Sequence, residues 1–395
     1  MSDEALGKNQ LLWGVARVFR PGTPVNKYSL FSGRREQVAD VINAVNQQGQ
    51  HVVLFGERGV GKTSLANIIN EVFEGVAAGL NSRTVNCDRR DDFASIWRKT
   101  FRELSVVDSD GIATTLDTFL GETVTPEDVR HLLGYLDETI VILDEVDVLQ
   151  DSLTKELLAD TIKTLADHAS NATLILVGVA DSVDELISHH QSLERSLVQV
   201  RMPRMSEAEL FEIIDNGALE LQMTISEPAM SAIAARSFGL PHFTHLLSLH
   251  AFQRAVGDDR DNVTQTDVIE ATSLAVKKVQ QSVLSAHHRA VSSQQKETLH
   301  EKVLLACALA NTDALGFFAA RDVRDPLSKI AGKRYDTPAF SRHLNEFTTS
   351  SRGPILQRTG QERRYRFRFV NPLMQPYIIM RGLEDGLIQD ADIVR

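Results

Sequence analysis

The sequence predicts an α/β core built on a parallel sheet, then an all-helical domain, then a module of three helices and a β-hairpin. Three observations predict it. Short apolar runs alternate with helical periodicity up to about residue 204, the pattern of strands covered by helices on both faces. From 205 the strand pattern stops and a capping box opens a series of helices. From 298 three helical stretches precede two short strands around a polar glycine turn. These shifts divide the chain into 1–204, 205–285 and 286–395.

The elements follow in order. Residues 1–50 lead in, with an extended, turn-rich Arg20-Pro21-Gly22-Thr23-Pro24. Val38, Val41, Ile42 and Val45 share one helical face. His51 to Phe55 is a buried strand closed by Gly56, and Leu65, Ile68, Ile69 and Phe73 mark the helix behind it. Arg83 to Cys87 is a strand and Phe93 to Leu104 a helix, whereas 105–124 reads as a loop or weak helix. Thr125 and Pro126 start the next helix. Strands follow at Thr139–Leu143, Thr173–Val179 and Ser196–Val200, with a helix over Leu153–His168.

Ser206 and Glu209 form the capping box ahead of Leu210, Ile213, Ile214, Ala218 and Leu221. Ser226 and Pro228 open a second helix, and two more are expected near 241–255 and 266–281. Residues 282–297 read as helix or junction. Helices near 301–310, 317–331 and 337–348 precede strands at Ile355–Arg358 and Arg364–Val370, which together read as a winged helix.

Composition bounds the function classes. At 395 residues, 43% apolar and 24% charged, the chain is an ordinary multidomain globular protein. Cys87 and Cys307 cannot make a disulfide framework or a cysteine zinc site and read as reduced, buried thiols. The polar MSDEALGKNQ start is no signal peptide, and no apolar run approaches the ~20 residues of a membrane span, so a cytoplasmic location is expected. Net charge is −11, yet 289–395 holds 17 basic and 12 acidic residues, and 321–368 holds 12 and 5. An acidic body with a basic C-terminal module suggests a polyanion partner there; a solvated surface excess explains the charge equally well.

The chemistry begins at Gly56-Glu57-Arg58-Gly59-Val60-Gly61-Lys62-Thr63, followed by Ser64, which fits G-x-x-x-x-G-K-[ST] between a strand and an amphipathic helix. The glycines let backbone N–H groups face phosphate oxygens, and the helix N-terminus adds positive potential. Lys62 is placed to reach the β- and γ-phosphates of ATP, and Thr63 to ligate Mg²⁺. Ile140-Val141-Ile142-Leu143-Asp144-Glu145 supplies the second half. Its strand delivers Asp144 to hold Mg²⁺ and Glu145 to polarise the attacking water. Asp147 reads as a helix cap, or as a further charge near the metal. No H-E-x-x-H occurs, and the histidines, among them His189-His190, His287-His288, His245 and His250, suggest no other metal.

The strings FSGRREQ, GERGVGKTSL, VNCDRRDDF, IVILDEVD, LILVGVADS, RSLVQVRMPRMSEAEL and SFGLPHF, spread over 31–250, resemble AAA+ ATPases. The resemblance is closest to the origin-recognition and archaeal replication-initiator branch and its bacterial relatives, which include transposition-regulator and defence-associated (antiviral defence) ATPases. It implies an α/β P-loop NTPase core, an all-helical lid and a slow ATPase. Gly33 to Glu36 lies where such families place an adenine-proximal turn; a plain loop-to-helix start is an equal reading. Asp181 lies near the first sensor position, where Asn is usual. Arg195 lies where an arginine finger acts on a neighbouring subunit, implying a homo-oligomer; a surface arginine paired with Glu194 is the alternative. His242 falls at the lid's second sensor, where Arg is common, and Gly239-Leu240-Pro241 is similar to the G-x-P element of signalling STAND ATPases.

For the winged helix, double-stranded DNA is the expected partner. Arg334, Arg342, His343 and Asn345 lie on or beside its third helix, and Arg358, Arg363, Arg364, Arg366 and Arg368 on the hairpin. Period two sets Arg364, Arg366 and Arg368 on one face and Tyr365, Phe367 and Phe369 on the other, leaving the guanidiniums free for phosphates; a sheet merely polar outside and apolar inside explains the pattern too. Docking of a protein partner or effector is the rival reading, in a regulator that does not bind DNA.

Overall fold

The computed structural model describes residues 3–25, 31–76, 81–107, 109–187, 193, 195–292, 299–313, 315–361 and 364–393. They form two units. One is Pro24–Glu57 with Gly61–Met202; the other is Met1–Thr23, Arg58–Val60 and Pro203–Arg395. The first residues form helix α1 (Asp3–Val18), which the sequence pattern does not announce and which belongs to the second unit.

The first unit runs α2 (Arg35–Val45), β1 (His51–Gly56), α3 (Lys62–Val76), β2 (Asn81–Asn86), α4 (Phe93–Arg102), β3 (Ser105–Val107), β4 (Ala113–Thr115), α5 (Pro126–Leu133), β5 (Thr139–Asp144), α6 (Ser152–Asp167), β6 (Ala172–Val179) and β7 (Leu197–Arg201). Strands pair in the order β2-β5-β6-β1-β7, all parallel. Every residue of β1 and β5 is buried, as expected when helices cover both faces of a parallel sheet. Val53, Phe55, Val141, Leu143, Leu174 and Leu176 face one way, into a core with Phe93, Ile96 and Trp97 of α4, Val129 of α5 and Leu158 and Ile162 of α6. Helices α2 and α3 pack against the sheet strands as well. Thr125 caps α5 with the reciprocal Asp128 bonds of a capping box. Residues 105–124 differ from the expected loop or weak helix: β3 and β4 pair as a short antiparallel hairpin before a 3₁₀ turn.

The second unit continues with α7 (Glu207–Glu220), β8 (Thr224–Ile225), α8 (Glu227–Ser237), α9 (Pro241–Gly257), β9 (Asn262–Val263) and α10 (Gln265–Lys278). The capping box at Ser206 and Glu209 is formed. Two residues each of β8 and β9 pair in parallel, a bridge too short to leave a strand pattern. Helix α1 lies on α9, and the Phe19 ring after it packs tilted against Phe252, centroids 4.9 Å apart. Gly217 makes room for it, since a Cβ there would sit 2.4 Å from the Phe19 ring.

The chain then runs α11 (Gln281–Val291), α12 (His300–Leu309), β10 (Phe318–Ala319), α13 (Ala320–Ala331), α14 (Thr337–Glu346), β11 (Leu356–Thr359), β12 (Arg366–Phe369) and α15 (Met374–Glu384). Strands β10, β12 and β11 form an antiparallel sheet, with Phe318 stacked on Phe367. The expected second helix at 317–331 thus splits into β10 and α13, and α15 is additional. Cys87 and Cys307 are buried free thiols.

Candidate nucleotide site

Because the five strands are parallel, β1, β5 and β6 deliver their C-terminal ends to one edge, where open α/β sheets bind ligands. Strand β1 ends at Gly56, whose φ of 154° lets it lie against Met202; a Cβ would come within 2.3 Å of the Met202 oxygen. Gly59 and Gly61 take positive φ of 85° and 98°, which bends the loop back into α3. Helix α3 begins at Lys62, so its unpaired N–H groups open toward the loop.

Lys62 is only 7% exposed and folds onto its own loop, its Nζ donating to the carbonyls of Gly56 (3.0 Å) and Glu57 (2.8 Å). The Thr63 hydroxyl stands near the Asp144 carboxylate and pulls its pKa down. The Ser64 hydroxyl is occupied, accepting from the Val25 N–H at 3.1 Å. Arg58 is exposed and Val60 fully buried.

Asp144 closes β5 in a buried position, 3% exposed, where it accepts from the Glu145 N–H at 2.7 Å. Burial raises its pKa; Thr63, the Glu145 N–H and Lys62 pull it back down, and Asp147 adds to the rise. A buried carboxylate beside a hydroxyl, with its charge only partly offset, is a hard-oxygen donor set suited to Mg²⁺. Among the described residues no group of three or more His, Cys, Asp or Glu could hold a metal by itself. Two oxygen donors fit an ion such as Mg²⁺, which keeps water and phosphate oxygens as its other ligands.

The sign of the Asp144 shift gives a prediction. With its folded pKa above the unfolded value, the ionised carboxylate costs stability near pH 7, and the cost disappears as pH falls through the folded pKa. Asp144→Asn is expected to melt higher than wild type without nucleotide, by about 2–4 °C per kcal/mol relieved. The same variant is expected to lose Mg²⁺-dependent stabilisation by ATP. Thermal melts with and without Mg-ATP check both, and an unchanged Mg-ATP response would remove Asp144 from the metal site.

Glu145 is exposed, and its backbone is left-handed (φ 60°, ψ 35°), a conformation costly for a residue with a Cβ. Glu145 is the residue before the 3₁₀ turn Val146–Val148 and makes no side-chain hydrogen bond to it. Asp147 is not the helix cap the sequence suggests. It lies inside that turn, and its Oδ1 accepts from the Val179 N–H at 2.7 Å. The cap of the next helix is Asp151, which accepts from the N–H groups of Leu153 and Thr154. Asp181 follows β6 at the same edge, half-buried, its N–H donating to Glu185 at 3.1 Å.

Arg195 sits at the opposite edge. Leu197 is level with His51 at the start of β1, so Arg195 is a full strand, roughly 16 Å, from the loop at ~3.3 Å per residue. It is exposed, and its carbonyl accepts from Gln50 at 2.8 Å. His242, in the other unit, has Nδ1 2.6 Å from the Pro21 oxygen. Burial lowers its pKa against the pull of that carbonyl, which favours the neutral ring. Arg34 is αL and 2% exposed, so the Gly33–Glu36 turn buries a guanidinium.

Several hairpin arginines also make contacts within their own module. Arg366 pairs with Asp313 at 2.8 Å, and Arg368 donates to the Leu315 carbonyl and stacks 4.6 Å from the Phe317 ring. Arg358 donates to Asn345 at 2.9 Å and covers the Tyr365 ring. Phe367 and Phe369 are buried as period two requires, and Arg364 is exposed. Arg342 is exposed beside Glu346, at 2.7 Å. Arg363, His189, His190 and Glu194 lie outside the described residues.

A strand, a glycine loop on a helix N-terminus, and a buried Asp with an exposed Glu at the end of β5 define a P-loop NTPase. The chain belongs to the Novel STAND NTPase 1 family, whose model matches residues 24–314. It is 28% identical over 278 residues to the ORC1-type DNA replication protein 1 of Halobacterium salinarum, covering 67% of this chain and 83% of that one. The resemblance to AAA+ ATPases of the origin-recognition branch is borne out by this relative. It is 23% identical over 195 residues to the ESX-1 secretion system protein EccA1 of Mycobacterium tuberculosis; that match spans 49% of this chain but only 30% of EccA1. The Aeropyrum pernix ORC2 protein, solved in ADPNP–ADP complexes, shares the fold at 16% identity, with 95% of this chain and 97% of that one covered and a TM-score of 0.50. A Walker-type ATPase of Pyrococcus abyssi matches equally, at 16% identity, 91% and 99% coverage and a TM-score of 0.50. Among the described residues no helix is long and apolar enough to cross a membrane.

Proposed function

We propose that the protein is an ATP-hydrolysing switch whose nucleotide state governs double-stranded DNA binding by a C-terminal winged helix. The observation that carries the ATPase part is the buried Asp144–Thr63 pair beside Lys62, with Glu145 turned outward at the same strand end. Thr63 and Asp144 would hold Mg²⁺, which supplies charge neutralisation at the phosphates. Lys62 leaves its loop carbonyls for the β- and γ-phosphate oxygens, and Glu145 takes the proton of the attacking water. Asp181 orients that water as the first sensor. Arg195, a strand length from its own loop, acts on a neighbouring copy, so turnover is slow in isolated chains.

The winged-helix reading is supported by the order helix, strand, helix, helix, strand, strand and by the basic balance of 321–368. The similarity to a replication protein supports a DNA partner. Arg364 and Arg342 are exposed cations to test, while Arg366 and Arg368 also make contacts to Asp313 and Leu315. Binding of duplex DNA with ATP, ADP or neither, at two salt concentrations, is expected to be ATP-favoured and salt-sensitive. Arg342→Glu/Arg364→Glu is expected to weaken it and to flatten the log–log salt slope by about one per lost phosphate contact. Absence of binding from protein that still takes ATP sinks the DNA reading.

A second reading is favoured by the family match and by the internally engaged hairpin arginines. There the nucleotide controls oligomerisation and recruitment of a protein effector, without DNA. It expects ATP-dependent assembly untouched by the arginine reversals.

A further inference from the structure

Strand β6 outruns its neighbour β5. The β5–β6 pairing ends at Leu143 with Leu176, while β6 stays paired with β1 through Gly56 and Val179. Beyond Leu176 the β5 side of β6 has no strand beside it, because β5 has ended at Asp144. The Asp147 carboxylate takes that place, accepting the Val179 N–H at 2.7 Å. Gly178 permits the approach: a Cβ there would stand 3.2 Å from both the Asp147 nitrogen and Oδ1, and 2.5 Å from Leu186. The turn carrying Asp147 is held at its other end too. The Val148 N–H donates to the Glu145 carbonyl at 3.0 Å, and Val146 is fully buried.

Glu145 begins this turn in a left-handed conformation that an unsupported chain would relax. One bond from Asp147 thus fixes a turn whose first residue is Glu145 to a strand whose continuation is Asp181. We propose that Asp147 is a positioning residue for ATP hydrolysis, latching the Glu145 turn to the end of β6 so that Glu145 and Asp181 keep a fixed spacing around the attacking water. The proposal rests on the reading of Glu145 as the base. Asp147 touches neither water nor phosphate in this role; it acts through backbone held in place.

The test uses the full chain and two substitutions. Asp147→Ala removes the acceptor, whereas Asp147→Asn keeps a carbonyl oxygen for Val179 and removes the charge. Asp147→Ala is expected to bind Mg-ATP within about threefold of wild type and to lose tenfold or more in kcat, with KM little changed. Asp147→Asn is expected to restore most of kcat. If Asn is as slow as Ala, the charge matters and not the latch, and the proposal is overturned. Wild-type turnover in Ala overturns it as well. So does parallel loss of ATP binding and turnover in Ala, which marks a structural role. Glu145→Gln runs beside them: if wild type and Glu145→Gln hydrolyse ATP alike, the reading of Glu145 fails. The latch is then judged by amide exchange of Val148 and Val179. Faster exchange in Ala than in wild type and Asn supports it, and equal exchange in all three overturns it.

Discussion

Lys62→Ala is expected to weaken Mg-ATP binding by about 10²–10⁴-fold while leaving the fold intact. The ammonium closes the loop at the start of α3, and it already sits there, 7% exposed, on the carbonyls of Gly56 and Glu57. On binding, those two bonds are exchanged for bonds to phosphate oxygens. Bonds between two charged groups are roughly twice as strong as those to neutral partners, and the Coulombic attraction of the ammonium for the phosphates adds to the exchange; a net ~3–6 kcal/mol corresponds to ~10²–10⁴ at 1.4 kcal/mol per tenfold. The loss in nucleotide-free protein is smaller. Gly59 and Gly61 set the loop's bends, and water can reach the half-buried Glu57 in place of Nζ. Isothermal titration with Mg-ATP, beside a thermal melt without nucleotide, checks both halves. An affinity within threefold of wild type would show that the loop does not hold the phosphates through Lys62.

The phosphate half of this site was legible because its physics is local. Glycines at 56, 59 and 61, Lys62 at a helix start and an apolar strand ending in Asp144 are all features of contiguous sequence. The parallel sheet was legible for the same reason: HVVLF and TIVIL are too apolar to be anything but strands covered on both sides. What escaped depends on partners distant in sequence. Helix α1 is stable because Val15, Val18 and Phe19 find α9, more than two hundred residues away, and its own periodicity is weak. Asp147 looked like a cap because D before a helical pattern usually is one; its partner, Val179, is 32 residues on. Period two puts the arginines of β12 on the face opposite Phe367 and Phe369, but nothing local shows that Asp313, Leu315 and Phe317 lie near Arg366 and Arg368. Alternation gives a side chain's direction and leaves its company undetermined.

Glu145→Gln is the substitution expected to separate binding from turnover most sharply. Gln has the size of Glu and can keep the αL turn, so the Asp144–Glu145 N–H bond and the Val148–Glu145 bond persist. Lys62, Thr63 and Asp144 are untouched, and Mg-ATP affinity is expected to stay within a few-fold of wild type. The amide cannot accept a proton from water, and a positioned general base contributes about 10²–10⁴-fold, so turnover is expected to fall by that factor. The variant then holds ATP instead of cycling. At one hundred times Kd the bound nucleotide adds about 2.7 kcal/mol to stability, and in the variant this gain should persist for hours under conditions where wild type loses it as ATP is consumed. The readout is released phosphate together with the melting temperature over time. The trapped state also distinguishes the two functional readings. If the switch governs DNA, Glu145→Gln should stay on the duplex after free ATP is removed. If it governs assembly with an effector, the variant should persist as an oligomer whether or not DNA is present. Turnover equal to wild type would take the base role from Glu145, and with it the account of how the switch resets.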